Sequence, residues 1–312
     1  MAETIAVRPF VDEDLPAVLE VLRISLGEPP GLTRTEQLFA WKHFNNPFGR
    51  SLLLVAEEGG RLAGIRAFMR WDLAGPDGGY LRCVRAVDTA THPDFQRRGV
   101  FRQLTLAGLD LAASSGIDLV FNTPNEKSGA GYLTMGWNEV GPVGVMVRPG
   151  AGLLRPNEGA WEPGGSAPTS ESLAAAGEWL HRPPRGWRTP RTPEYLRWRF
   201  ASHPTARYLI SGVADGVAIG RANRRQGRRE LVLSELGGSP AAIRTLRRAA
   251  GPDYTVGWFS AGTPERSAAF RGGLLPVPRK AALTVMARPL RHLDVDLGWQ
   301  NWDLSLGDIE LL

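Results

Sequence analysis

The chain has 312 residues, enough for two domains of ordinary size, and its 43% apolar content with 37 glycines and 24 prolines fits a folded, loop-rich protein rather than a disordered one. A single cysteine, Cys83, excludes an intrachain disulfide and a multi-cysteine metal centre, and the five scattered histidines show no metal-ligand spacing. The net charge of +5, from 37 basic residues against 32 acidic ones, is small for a nucleic-acid protein but favours small anionic ligands.

The stretch MAETIAVRPF lacks the basic start and apolar run of a signal peptide, and no run is long enough to span a membrane, which sets a cytoplasmic expectation. Residues 5–8 suit a short strand. Asp12, Glu13 and Asp14 then favour a helix N-terminus, with Leu15, Val18, Leu19 and Leu22 as the apolar stripe behind it. The sequence GEPPG from Gly27 breaks that helix; a second starts near Thr35, carries Leu38, Trp41 and Phe44, and stops at Asn46-Pro47. Residues 51–57 and 62–71 read as antiparallel strands joined by Glu58-Gly59-Gly60-Arg61. A further turn, Pro76-Asp77-Gly78-Gly79, leads into a β-branched and apolar strand over 81–87, in which Cys83 is expected as a buried structural thiol.

The turn Gln96-Arg97-Arg98-Gly99-Val100 sits where that strand gives way to a helix, so the first N–H groups of the helix point outward. Beside two arginines they form an anion site, and Gly99 lets the backbone approach a phosphate with no Cβ in the way. Phe101, Leu104, Gly108, Leu111 and Ala112 share the helix face that lies on the sheet. An apolar run at 117–121 makes another strand, followed by a short helix that ends at Gly136-Trp137.

The segments Thr91-His92-Pro93, Gln96-Arg97-Arg98-Gly99-Val100-Phe101 and Tyr132-Leu133-Thr134-Met135-Gly136-Trp137 resemble, in order and separation, the acyl-CoA-binding core of the GNAT N-acetyltransferase superfamily over about residues 4–145. The resemblance implies an α+β fold with a mixed sheet, acetyl-CoA or another acyl-CoA as cofactor, and an amine acceptor on a small molecule or peptide. It implies that Gln96, Arg97, Arg98, Gly99, Val100 and Phe101 hold the pyrophosphate. Parallel strands splaying at Val87 and Val120 would leave backbone groups of Val87, Asp88 and Thr89 for the pantetheine, and the Tyr132 hydroxyl would stand beside the departing sulfur. A phenol ordinarily ionises near pH ~10, so it remains a donor at neutrality. Asn122 and Asn125 either bond the cofactor or merely turn the chain. The general base stays open between Asp88, Glu28 and His92, with the terminal carboxylate of Leu312 as a further candidate. The first helix pair, with Glu28 and Trp41, would wall the acceptor site. Phe101 departs from the family pattern, which has a small residue there, and so alters one close backbone contact to the pyrophosphate.

Residues 150–192, rich in Pro, Gly, Ser and Glu, read as a linker with one short helix over 172–180. Arg182, Arg185, Arg188 and Arg191 are spaced like a phosphate or nucleic-acid patch, but no groove-matching element accompanies them. From residue 193 the first pattern returns. Trp41 to Pro47 is echoed by Trp198 to Pro204, LLLVAEEGGRLAGIRA by YLISGVADGVAIGRA, and the segment from Leu111 by the one from Leu246. The expected organisation is therefore a GNAT-like domain at 1–149, a linker at 150–192, and a degenerate second copy at 193–312. The second copy has no Q-R-R-G turn, and Phe270 stands where the first has Tyr132. Trp299 and Trp302 are expected to pack in a tail with closing strands around 303–306. The leading function is acyl-CoA-dependent N-acetyl transfer; the alternatives are a non-catalytic acyl-CoA-binding scaffold and an aminoacyl-tRNA-dependent aminoacyl transferase.

Overall fold

The computed structural model describes residues 5–28, 33–150, 152, 159–277 and 283–309. The first half contributes β1 (Ala6–Pro9), α1 (Leu15–Leu26), α2 (Glu36–His43), β2 (Leu52–Glu58), β3 (Arg61–Arg70), β4 (Leu73–Ala74), β5 (Tyr80–Leu81), β6 (Cys83–Thr91), α3 (Val100–Ser114), β7 (Leu119–Asn122), α4 (Glu126–Thr134), β8 (Asn138–Val143) and β9 (Met146–Pro149). Next come α5 (Ser170–Leu180) and the short α6 (Pro193–Leu196), which runs into a π-helical turn at Arg197–Ala201. The second half repeats the order with β10 (Arg207–Val213), β11 (Gly216–Arg225), β12 (Arg228–Gly238), α7 (Ala241–Ala250), β13 (Tyr254–Gly257), α8 (Pro264–Arg271), β14 (Leu275–Pro276) and β15 (Leu283–Pro289), and closes with α9 (Leu306–Ile309).

Local chemistry accounts for these elements. Gly59 and Gly60 both take positive φ in the β2–β3 turn. Thr35 caps α2 through the Leu38 N–H. Asp14, at the start of α1, accepts from the Val11 N–H and pairs with Arg8 of β1, tying helix to strand. Helix α3 lies close on β3 because its contact residue is glycine: a Cβ at Gly108 would stand 2.7 Å from the Phe68 ring. Cys83 has no exposed surface, and burial pushes its thiol up, as suits a structural residue.

The two sheets exchange strands. The first is ordered β1-β2-β3-β6-β7-β15-β8 and the second β10-β11-β12-β13-β9-β14. Strand β9 leaves the first half to lie between β13 and β14, and β15 leaves the second half to lie between β7 and β8. The sheets thus disagree with a division at 149: residues 146–149 complete the second sheet and 283–289 the first. A strand's apolar pattern records which face is buried, not which sheet receives it.

The stretch expected as a linker is packed. Leu173, Ala176, Leu180 and Trp187 belong to one apolar core with Trp41, Trp71, Leu119, Trp198 and Ile219, so the halves share an interior. The four arginines whose spacing resembles a phosphate patch are engaged internally, as the missing groove-matching element suggested: Arg182 pairs with Glu265 and Asp303, Arg185 donates to the Gly262 carbonyl, Arg191 pairs with Asp308 and Glu235, and Arg188 is buried. Within this shared core, Trp41 and Trp198 stack at 4.6 Å and each indole N–H donates to the other's backbone carbonyl at 2.8 Å. The echoed Trp-to-Pro segments therefore meet each other in a self-complementary contact, as two-fold partners do. Trp198→Ala should lower the unfolding free energy by about 3–5 kcal/mol, measured by denaturant titration, with both halves lost in one transition.

Candidate active site

Strand β6 is the axis of the site. It pairs in parallel with β7 only from Cys83↔Leu119 to Arg85↔Phe121, while its pairing with β3 continues to Thr91. The edge of β6 facing β7 is therefore unpaired from Ala86 onward, and the splay opens there, one register step beyond Val120. On the β3 side, Ile65↔Ala90 and Ala67↔Val87 leave an extra residue in β6, and Asp88 takes φ 40° within that bulge. The bulge turns Asp88 toward α2.

Beyond β6, His92 caps a short turn by accepting from the Asp94 N–H at 3.2 Å, and the chain reaches Gln96. Arg97 and Gly99 then adopt φ 62° and 77°, and α3 begins at Val100. A non-glycine residue at positive φ carries strain of about 1–3 kcal/mol, a feature concentrated at functional sites. Helix α3 starts from Gly99 and, like α1 and α7, has no side-chain cap, whereas α2, α4, α5 and α8 are capped by Thr35, Asn125, Thr169 and Thr263. Its first amides and the positive end of its dipole face a cleft of about 400 Å³. The cleft is walled by Ser25 and Leu26 of α1, residues 89–91 of β6, and the turn with Arg97, Phe101 and Arg102.

Tyr132 of α4 is 3% exposed behind this cleft. Its ring lies tilted against Trp137 at 4.9 Å and meets Phe101 edge-on at 5.5 Å, and its hydroxyl accepts from Arg66 Nη1 at 2.8 Å. The bulky Phe101 is matched by Gly131, where a Cβ would lie 3.1 Å from the Phe101 ring. Asn122, at the end of β7, is buried and its Oδ1 has no hydrogen-bond partner among the described residues.

The structure sorts the sequence candidates. Val87, Asp88, Thr89, Gln96, Arg97, Gly99, Val100, Phe101, Asn122 and Tyr132 gather around the splay and the cleft. Arg98 keeps its backbone in the turn, but its side chain forks onto Glu58 of β2 and does not line the cleft. Asn125 is spent on capping α4 through the Ser128 N–H. Glu28 fixes its own loop by accepting from the Arg34 N–H at 2.7 Å, and His92 holds its turn, so neither is brought to Tyr132. Residues 29–32 of that loop and Leu312 lie outside the described residues.

Asp88 is an anchor rather than a free base. Its carboxylate accepts from Lys42 Nζ at 2.8 Å, His43 Nε2 at 3.1 Å and Arg34 Nη1 at 3.2 Å. Burial alone would raise its pKa, but Lys42 and His43 outweigh burial and hold it well below the usual carboxylate range. Burial keeps His43 itself neutral, donating to Asp88 through Nε2 and accepting from Ser51 Oγ through Nδ1 at 3.0 Å. Sequence reasoning missed Lys42, His43, Arg34 and Arg66. For Arg66 a signal existed, a lone charge inside the apolar run LAGIRAFM.

The second half has a similar splay, and among the described residues the chain's own tail lies in it. Strand β12 pairs with β13 only to Leu233↔Gly257, and the tail fills the gap: Leu304 exchanges bonds with Ser260, Leu306 N donates to the Trp258 carbonyl, and Ser305 Oγ reaches Glu235. These pairings, with Trp302 buried, are what becomes of the closing strands expected in the tail.

The first sheet is splayed at its centre, with a glycine-headed helix at its mouth and a buried phenol behind it, and the second sheet repeats the splay with its gap filled. Residues 6–140 match the family model described as Acetyltransferase (GNAT) domain. Among solved structures, a GCN5-related N-acetyltransferase from Kribbella flavida is 15% identical with a TM-score of 0.61, over 92% of this chain and 71% of that one. Eis1 from Mycobacterium abscessus is 16% identical with a TM-score of 0.57, over 92% and 74%. A tandem GNAT protein from the clavulanic acid biosynthesis pathway is 14% identical with a TM-score of 0.55, over 93% and 100%. These likenesses establish the tandem GNAT fold for the chain. No curated protein matches it in sequence.

Because the native Asp88 carboxylate is held below its unfolded value, its stabilisation is complete above about pH 4 and is lost as the pH falls through the native value. Asp88→Asn, which leaves Lys42 and Arg34 without a counter-ion, should lower the unfolding free energy at pH 7 by on the order of 3–5 kcal/mol. Denaturant titration of the variant beside wild type measures this directly.

Proposed function

We propose that this protein is an acyl-CoA-dependent N-acyltransferase, with acetyl as the acyl group and a primary amine of a small molecule or peptide as acceptor. The observation that carries the reading is that one end of β6 joins an uncapped helix N-terminus, an unpaired strand edge and the hydroxyl of Tyr132.

The residues present fit the group. The α3 amides after Gly99, with Arg97 and Arg102 on the cleft, suit a pyrophosphate; the free edge of β6 and the orphaned acceptor Asn122 Oδ1 suit the amides of a pantetheine arm. Acyl-CoA supplies a thioester: a C–N bond forms to the amine, the C–S bond breaks, and the electron pair leaves on sulfur, which takes a proton. Tyr132 is the donor placed to give that proton, because Arg66 can only donate to the phenol oxygen and the hydroxyl hydrogen stays available. The excess amine proton leaves to water.

Two observations weigh against the alternatives. Arg182 and Arg191 are held in internal ion pairs and Arg185 on the Gly262 carbonyl, so the arginines of that stretch do not form a patch for the phosphates of a tRNA. A scaffold without turnover has no use for an uncommitted phenol proton behind the cleft.

Incubation with acetyl-CoA and a panel of amines, followed by thiol release, tests the reaction. Tyr132→Phe should lower kcat by on the order of 100-fold and leave the affinity for CoA within about twofold; full activity would reduce Tyr132 to a packing residue. Arg97→Glu should weaken CoA binding at least about tenfold, read by calorimetry, and unchanged affinity would remove the phosphate site from the turn.

A further inference from the structure

Arg66 is a charge that the fold's stability does not explain. Its side chain has no exposed surface, and among the described residues it has no carboxylate partner. Nη1 donates to Tyr132 Oη at 2.8 Å and to Thr89 Oγ1, and Nη2 donates to Thr105 Oγ1 at 2.8 Å. All three acceptors are neutral, and Nε has no partner. The guanidinium carbon lies 4.7 Å from the Phe68 ring centre, 5.3 Å from that of Tyr132 and 5.5 Å from that of Phe101, so the remaining surroundings are aromatic faces. A buried cation without a counter-ion is costly, and a well-packed apolar residue in its place is often neutral or stabilising.

The groups facing Arg66 are Thr89 from β6, Thr105 from α3 and Tyr132 from α4, while Asp88 is turned away to Lys42 and α2. Two of the three hydroxyls have committed their own hydrogens, Thr89 to the Val87 carbonyl at 3.2 Å and Thr105 to the Phe101 carbonyl at 2.6 Å. Only the Tyr132 hydrogen has no acceptor among the described residues. The cation therefore fixes the phenol oxygen as an acceptor and turns its hydrogen outward. The one negative charge the proposed reaction creates would appear next to that hydrogen.

We infer that Arg66 is a positioning residue whose buried positive charge, acting through Tyr132 and the Thr89 bulge, favours the thiolate form of the departing coenzyme. The inference rests on the acyltransferase reading above. It assigns the charge a task that the ground state of the free protein lacks: electrostatic stabilisation prepared in advance of the charge it meets.

Calorimetric binding of CoA and of desulfo-CoA at pH 7 and pH 9 tests it without turnover. In wild type, the preference for CoA over desulfo-CoA should rise about tenfold as the thiol ionises, an ordinary thiol having a pKa near ~8.5. Arg66→Lys should retain most of the rise. Arg66→Met should show a preference flat within about twofold, a melting temperature no lower than wild type, and a kcat loss that narrows for acyl donors with a more acidic thiol. If Arg66→Met does not fold, Arg66→Gln removes the charge while keeping a donor for Tyr132, and the same flat preference is expected. A wild-type preference that does not change with pH, or an unchanged rise in the charge-removing variants, overturns the role of Arg66 and leaves the acyltransferase reading standing. Binding of neither ligand to wild type overturns both.

Discussion

The extra residue in β6 is the constraint on which the site depends. Two strands in register would bond along their whole length, leaving neither an open edge nor a reason for Asp88 to face α2. With the bulge in place, β6 stops pairing with β7 after Arg85, yet stays bonded to β3 as far as Thr91. The strained φ of Asp88 is maintained by what its carboxylate gains from Lys42, His43 and Arg34, so the ion cluster and the open edge support each other. Opposite the bulge stands Arg66, and the same local irregularity places Thr89 against it.

The second half shows what happens to an equivalent opening when the chemistry is absent. There the gap beside β12 is occupied by the chain's own tail, stitched by Ser305 and Asp308 to Glu235 and Arg191. The tail then continues to the first half, where Arg85 donates to the carbonyls of Asp308 and Ile309. Arg85 is the last residue of β6 to pair with β7, so one segment spans from the sealed splay to the open one.

Much of this was legible in the sequence because it is local. The turn at 96–100, the helix start at Thr35, the Gly59-Gly60 hairpin and the burial of Cys83 all follow from near neighbours. The tandem echo was legible too, since repeated spacing survives when individual residues do not. What escaped depended on residues far apart in the chain. Arg98 reads as a phosphate ligand until Glu58, forty positions away, is seen to hold it. Asp88 reads as a base until Lys42, His43 and Arg34 surround it. The exchange of β9 and β15 escaped because hydrogen bonding between strands is indifferent to which half supplies the partner.

That exchange bears on why a copy with a filled cleft is retained at all. Each half lends the other an interior strand, so deleting the second would pull β15 from between β7 and β8 and expose two raw edges in the sheet against which Tyr132 packs. Such lending locks the halves together: each sheet is completed by a strand of the other half, so substitutions can accumulate in either splay while neither half can be removed whole.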